Sequence, residues 1–281
     1  MVFRKLERKQ IFWAGFFTGL AAITEYPVIL LAGLWLLQLI YTDKKLNYII
    51  KFGIGFLPAV LFLMLYNYSL SGHLFSLGYD NVSPEFAKMK VNYGFSFPTL
   101  TALWGLTFSF YRGIFIYAPI LIPLVIFAIL HFTKAASFKK LLLHSWFIPF
   151  VLYIVFISGY FMWWGGWAWG PRHLIPALIF IIYYEVKYGN IRRHIIPFAL
   201  AGIVGLVINF FAKLTILYNF THDVLNPFKL VLEKVFKNDF SNHQSFFTAL
   251  FKSPPLHAGL VWLLVYVAAG IALWRTKKII A

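Results

Sequence analysis

Apolar stretches of about 18 residues or more recur along the chain. Each is long enough to cross a hydrocarbon core of roughly 30 Å at about 1.5 Å per residue. A soluble core helix needs no such repetition. The pattern places a first apolar block at 11–41 and further spans near 48–66, 112–131, 141–160, 173–186, 194–212 and 257–274. These runs predict an all-α, polytopic transmembrane helical bundle of about seven or eight membrane segments, one transmembrane domain over residues 1–281. The first block contains "TEYP". A residue before proline is pushed out of the α region, so Tyr26 is a natural break and the block reads as two short helices folded as a hairpin, with Glu25 near the outer face.

The loops alternate in charge. Lys44, Lys45 and Lys51, then Lys134, Lys139 and Lys140, then Lys187, Arg192 and Arg193, and finally Arg275, Lys277 and Lys278 mark the cytoplasmic side, so the C-terminus is expected to be cytoplasmic. The stretches 67–111, 161–172 and 213–256 then face outward. Arg4, Lys5, Arg8 and Lys9 put the N-terminus inside as well, which a hairpin in the first block satisfies and one long crossing does not.

Composition agrees with a multi-pass integral membrane protein: 61% of residues are hydrophobic and 12% charged. A net charge of +16 would suggest nucleic acid in a soluble protein, but here the cations sit in short loops and topology accounts for them, so no nucleic-acid partner is read. Cysteine is absent, which excludes a disulfide framework and thiol metal ligands. Residues 1–10 lead into an apolar run without an A-x-A-like cleavage site.

Chemistry is expected where polar groups collect in or beside the membrane, because an ionisable side chain there is costly unless paired or wetted. Glu25 reads either as an interfacial carboxylate at a helix break or as one facing an external cavity. "YNYSLSGHLFSLGYDNVSPEF" carries His73, Tyr79 and Asp80 in an outer loop that reads either as well-packed backbone or as a polar lid. Arg112, at an outer boundary after an aromatic amphipathic run, either snorkels toward headgroups or holds a phosphate through its guanidinium fork. "GYFMWWGGWAWGPRH" sets Trp163 and Trp164 at an external boundary where aromatic belts are common. Its glycines abandon helical geometry and lead to Arg172 in the first turn of the next span, where a cation invites either an anion or a carboxylate partner. His222, Asp223 and His243 match no metal-ligand spacing, nucleotide-binding glycine motifs are missing, and no cofactor is assigned.

The motifs "GLAAITEYPVILL", "YNYSLSGHLFSLGY", "LWGLTFSFYRGIFIYAPILI" and "WWGGWAWGPRHLIPAL", in this order, resemble the membrane region of prokaryotic C-type (GT-C) glycosyltransferases of the protein O-mannosyltransferase and lipid A aminoarabinose transferase kind. The resemblance covers roughly residues 15–177. It implies a polytopic fold in a prokaryotic plasma membrane, an active site in an external cavity, and a lipid-linked sugar on polyprenyl phosphate as partner, beside membrane lipid. Those enzymes carry a catalytic aspartate in a long first external loop upstream of the "TEYP" region. This sequence begins just before that region, so the resemblance also implies a member lacking its N-terminal catalytic part. Glu25 matches the family's polar residue at the cavity wall and is the candidate catalytic carboxylate. Arg172, Arg112, Tyr26, His73, Tyr79, Asp80, Trp163, Trp164 and His173 are the candidate substrate-binding positions. A transporter or flippase of a lipid-linked anion would share a basic cavity and broken helices, and a non-catalytic membrane scaffold is the third class.

Overall fold

The computed structural model describes residues 8–43, 46–76, 84–134, 147–178, 181, 195–215, 223–240, 260–261, 263–264 and 267. Among the described residues all regular elements are helical, and extended pairing is limited to an isolated antiparallel bridge between Phe95 and Tyr160. The chain is thus all-α, as its apolar runs predict. In order it forms α1 (Arg8–Thr24), α2 (Val28–Asp43), α3 (Leu46–Ser71), α4 (Leu100–Thr107), α5 (Ile114–Tyr117), α6 (Leu121–Lys134), α7 (Phe147–Ser158), α8 (Ile195–Thr215) and α9 (Pro227–Phe236). Two of these, α3 and α8, are long and apolar enough to cross a membrane. Only 17% and 11% of their most apolar windows are buried; Phe52, Phe198 and Leu214 are inside, while most of the Leu and Ile side chains of these helices are exposed. A soluble core helix would hide them. Lys44, Lys139 and Arg192, on which the inside-outside assignment turns, lie outside the described residues, as does nearly all of 257–274.

The chain divides into two compact units. The first comprises Met1–Leu103, Val125–Trp163 and His173–Asn190; the second comprises Trp104–Leu124, Trp164–Arg172 and Ile191–Ala281.

In the first unit the initial apolar block is broken as "TEYP" predicts. Helix α1 ends at Thr24, whose hydroxyl donates to the Ala21 carbonyl (2.8 Å), and Val28 restarts the chain by donating its N–H to Glu25 O (2.9 Å). Pro27 has no N–H to continue the ladder, and it forbids helical backbone at Tyr26. The return of α2 is then dictated by packing. Gly15 lies on the Phe52 carbonyl, Gly55 on the Phe12 carbonyl, and Gly19 faces Ala59 and Phe56. Rising numbers meet rising numbers, so α1 and α3 run parallel and α2 must travel back between them. Small residues permit this approach, because a Cβ at Gly15 or Gly55 would strike backbone. Gly55→Val should therefore separate α1 from α3 at a cost of about 1–3 kcal/mol or more. Thermal unfolding in detergent is the measurement, and the open Gly53, whose Cβ would meet nothing, supplies the control as Gly53→Val.

In the second unit the span expected at 112–131 does not run unbroken. Arg112 and Gly113 sit in a turn, α5 lasts from Ile114 to Tyr117, and α6 begins only at Leu121. Pro119, which cannot donate into a helix begun upstream, separates the two. Helix α9 arises inside the stretch expected to be an outer loop. Asn226 caps it by accepting the Lys229 N–H at 3.1 Å, and Pro227 occupies the first turn, where its missing donor costs nothing. It packs against α8.

Candidate functional site

Arg112 is the largest fully buried side chain described, at 0% exposure. Its Nε–H donates to the Trp164 carbonyl (2.7 Å), Nη1 to the Tyr111 carbonyl (2.9 Å) and Nη2 to the Gly166 carbonyl (3.1 Å). The guanidinium also lies 4.3 Å from the Tyr111 ring centre. A planar fork with five fixed donors suits three carbonyls converging from different directions, whereas an ammonium does not. The Arg112 guanidinium thus ties the chain before α5 to the backbone of the tryptophan loop. Burial raises the Tyr111 phenol above its ordinary range; Arg112 opposes this and Asp223 adds to it, so the phenol stays neutral.

The loop so anchored is built from left-handed glycines. Gly165 (φ +80°), Gly166 (φ +67°) and Gly170 (φ +79°) adopt a conformation that side chains resist. Gly170 sits against the Tyr117 ring, where a Cβ would come within 2.8 Å of Cδ1. Trp169 packs edge-on to Tyr117 with ring centres 4.8 Å apart, and Phe228 of α9 touches both rings at 5.0 and 5.3 Å. Asn209 on α8 closes the cluster: its Oδ1 accepts Trp169 Nε1–H (3.0 Å), and its Nδ2 donates to the carbonyls of Tyr117 (3.2 Å) and Gly205 (2.7 Å). At the end of the loop Arg172 lays its stem over Gly165, whose Cβ would meet Arg172 Cγ at 3.0 Å, and leaves its charged end exposed. Among the described residues no carboxylate forms an ion pair with Arg172.

In the first unit His173 is 7% exposed and its Nδ1 lies 3.7 Å from Glu25 Oε2, with Glu25 itself 41% exposed through its side chain. Tyr160 meets the imidazole edge-on at 5.6 Å. Tyr160 is held in turn by Phe95, 5.0 Å away, and Phe95 stacks on Phe156 at 4.5 Å. The Ser96 N–H donates to Gly159 O (2.8 Å) and the Phe161 N–H to Gly94 O (2.6 Å), which ties the loop at 94–96 to the end of α7. Beside this join lies an open cleft of about 820 Å³ lined by Lys88, Asn92, Phe95, Ser96, Phe97 and Phe161 among others.

No family model, curated protein or solved structure matches this chain. The site must therefore be read from its own residues. Trp164 contributes its carbonyl to Arg112, while half-buried Trp163 donates its N–H to Tyr160 O (3.1 Å). Tyr26 is half-buried at the α1–α2 turn. His73 is exposed and exchanges hydrogen bonds with Ser71 (3.2 Å each), a local turn rather than part of either cluster. Tyr79, Asp80, His222 and His243 lie outside the described residues, and Asp223 is exposed. Among the described residues no three metal-ligating side chains converge. The segment opening at Arg172 begins as a 3-10 turn, Arg172–Leu174, that runs directly into helical residues 175–178. Sequence reasoning did not single out Asn209, Tyr117 or Phe228. A lone asparagine amid the apolar residues of α8 was the available signal for the first, since a polar side chain in such a run is expensive without partners.

Proposed function

We propose that this is a multi-pass membrane protein of about seven or eight segments that works at the external face on a sugar carried by polyprenyl phosphate. The observation that carries this reading is Arg172. A cation with no carboxylate partner among the described residues, at the end of a glycine loop pinned by a buried arginine, suits an anion. The four motifs resembling C-type glycosyltransferases support the same class, and the outward-facing apolar surfaces of α3 and α8 supply the lipid setting. The reaction is glycosyl transfer. An acceptor hydroxyl gives up its proton to a carboxylate base as its oxygen bonds to the anomeric carbon. The bond from that carbon to the phosphate oxygen breaks, and the electron pair leaves on the phosphate, whose charge Arg172 offsets.

Polyprenyl phosphate binding to the purified full chain in nanodiscs tests the reading. Arg172→Lys keeps the charge but loses the bidentate fork and should weaken binding about tenfold; Arg172→Ala should weaken it about a hundredfold. Intrinsic tryptophan fluorescence and thermal unfolding report whether the loop survives. Unchanged binding in both variants, or binding lost only where the fold is lost, would remove Arg172 from the site.

A further inference from the structure

Helix α9 covers one side of itself and leaves the other bare. Pro227 and Val231 are buried, and Phe228 packs on the rings of Tyr117, Trp169 and Phe110 at 5.0, 5.3 and 5.8 Å. The remaining side carries Leu232, 54% exposed, and Phe236, 85% exposed. Four residues apart, they lie one above the other on the helix surface, and the ion pair Lys229–Glu233 (3.9 Å) runs beside them. Leu225 just before the cap and Phe110 beside Phe228 are exposed too, so the apolar surface extends past the helix itself. The depth of this surface follows from α8. Its 21 residues make about 32 Å at about 1.5 Å per residue, close to the thickness of a hydrocarbon core, so its ends fall at the two interfaces. Asn209, which accepts from Trp169, is within about 9 Å of the Thr215 end. Trp169 touches Phe228, and α9 therefore lies near that interface. Its ten residues are too few to cross, and charges at both ends, Lys229 and Lys237, keep either end from dipping into hydrocarbon.

We infer that α9 is an interfacial helix: Leu232 and Phe236 enter the acyl-chain boundary of a phospholipid leaflet, while Lys229, Glu233 and Lys237 stay among the headgroups. The inference rests on the membrane reading proposed above. Apolar insertion, not headgroup charge, is what holds the helix. Between Asp223 and Asp239 the cations Lys229, Lys234 and Lys237 are matched by Asp223, Glu233 and Asp239, so the segment has no net charge to draw it to anionic lipid. Two of the three cations also lie beside carboxylates of the same segment, Lys229 by Glu233 and Lys234 by Asp239 at 2.7 Å. Because Phe228 packs Trp169 from the same helix, the tryptophan loop is held at the level of the lipid phosphates.

The chain has no cysteine, so single nitroxide labels can be placed without removing any native residue. Leu232→Cys, Phe236→Cys, Lys229→Cys and Glu233→Cys are labelled in the full chain in phosphatidylcholine nanodiscs, with Val204→Cys on the exposed middle of α8 as the reference. Each label is challenged with oxygen, which concentrates among acyl chains, and with a water-soluble nickel chelate. The ratio of oxygen to nickel accessibility should be at least about threefold higher at 232 and 236 than at 229 and 233, and highest at 204. Replacing the lipid by anionic phosphatidylglycerol should leave that order unchanged. Labels at 232 and 236 as open to nickel as those at 229 and 233 would place the face in water and overturn the inference. Labels closed to both reagents would mean that protein covers the face, whether another part of this chain or a second copy, and would overturn it equally. An order seen only in anionic lipid would overturn it by making charge the holding force. Nickel access at 204 would overturn the membrane reading itself, whereas a lipid-exposed 204 beside any of these results at α9 would overturn this inference alone.

Discussion

Arg112→Lys and Arg112→Met should each lose the tryptophan loop, with thermal stability falling by several kcal/mol and polyprenyl phosphate binding falling with it. The guanidinium is wholly inside and donates to the carbonyls of Tyr111, Trp164 and Gly166. Removing it takes these donors from the Trp164 and Gly166 carbonyls, while Tyr111 O keeps the Tyr117 hydroxyl, and a buried polar group left unpaired costs about 1–3 kcal/mol. The expected total is on the order of 3–5 kcal/mol, the range found when one side of a buried charged network is deleted. Lysine does not rescue, because a single ammonium cannot reach carbonyls that the fork meets from separate nitrogens. A fall in unfolding temperature, together with a change in tryptophan emission from loop residues 163, 164, 167 and 169, is the readout. An Arg112→Lys protein that unfolds and binds like the wild type would show that the carbonyl contacts contribute little.

Gly170→Val should strongly destabilise the second unit. It combines a backbone penalty with a steric one. The left-handed backbone at φ +79° costs a side chain about 1–2 kcal/mol, and the new Cβ lies within 2.8 Å of Tyr117 Cδ1. Tyr117 cannot give way freely, since its hydroxyl lies within bonding distance of the carbonyls of Phe110 (3.1 Å) and Tyr111 (2.9 Å) and its ring is packed by Trp169 and Phe228. The expected loss is about 2–4 kcal/mol. Gly72→Val isolates the backbone penalty, because Gly72 has φ +73° but open space around its missing Cβ. If both variants unfold at the same temperature, the Tyr117 contact is not what the glycine serves.

Features that depend on neighbours in the chain were legible in the sequence. Apolar runs announce helices, Pro27 breaks the first block where its ring forbids helical backbone, and the glycines of the tryptophan loop mark left-handed turns that a Cβ would oppose. The charge of Arg172 was legible for the same reason, although whether a carboxylate met it was not. Helix α9 escaped because ten residues are too short to cross a membrane; its Asn226–Pro227 start and the amphipathic run that follows were its local signals.

What the tertiary structure decided are the partners. Nothing near Arg112 in sequence says whether its guanidinium turns outward to a phosphate or inward to the carbonyls of a loop formed by residues 164–166. Gly15 and Gly55 are equally silent until α1 and α3 lie parallel and each glycine proves to face a carbonyl. Asn209 finds Trp169 and Tyr117, and His173 finds Glu25, only after the chain has folded. Steric limits on the backbone act between adjacent residues, so sequence carries them. Hydrogen bonds and ion pairs act across a few ångströms of space, and which groups share that space is settled by packing.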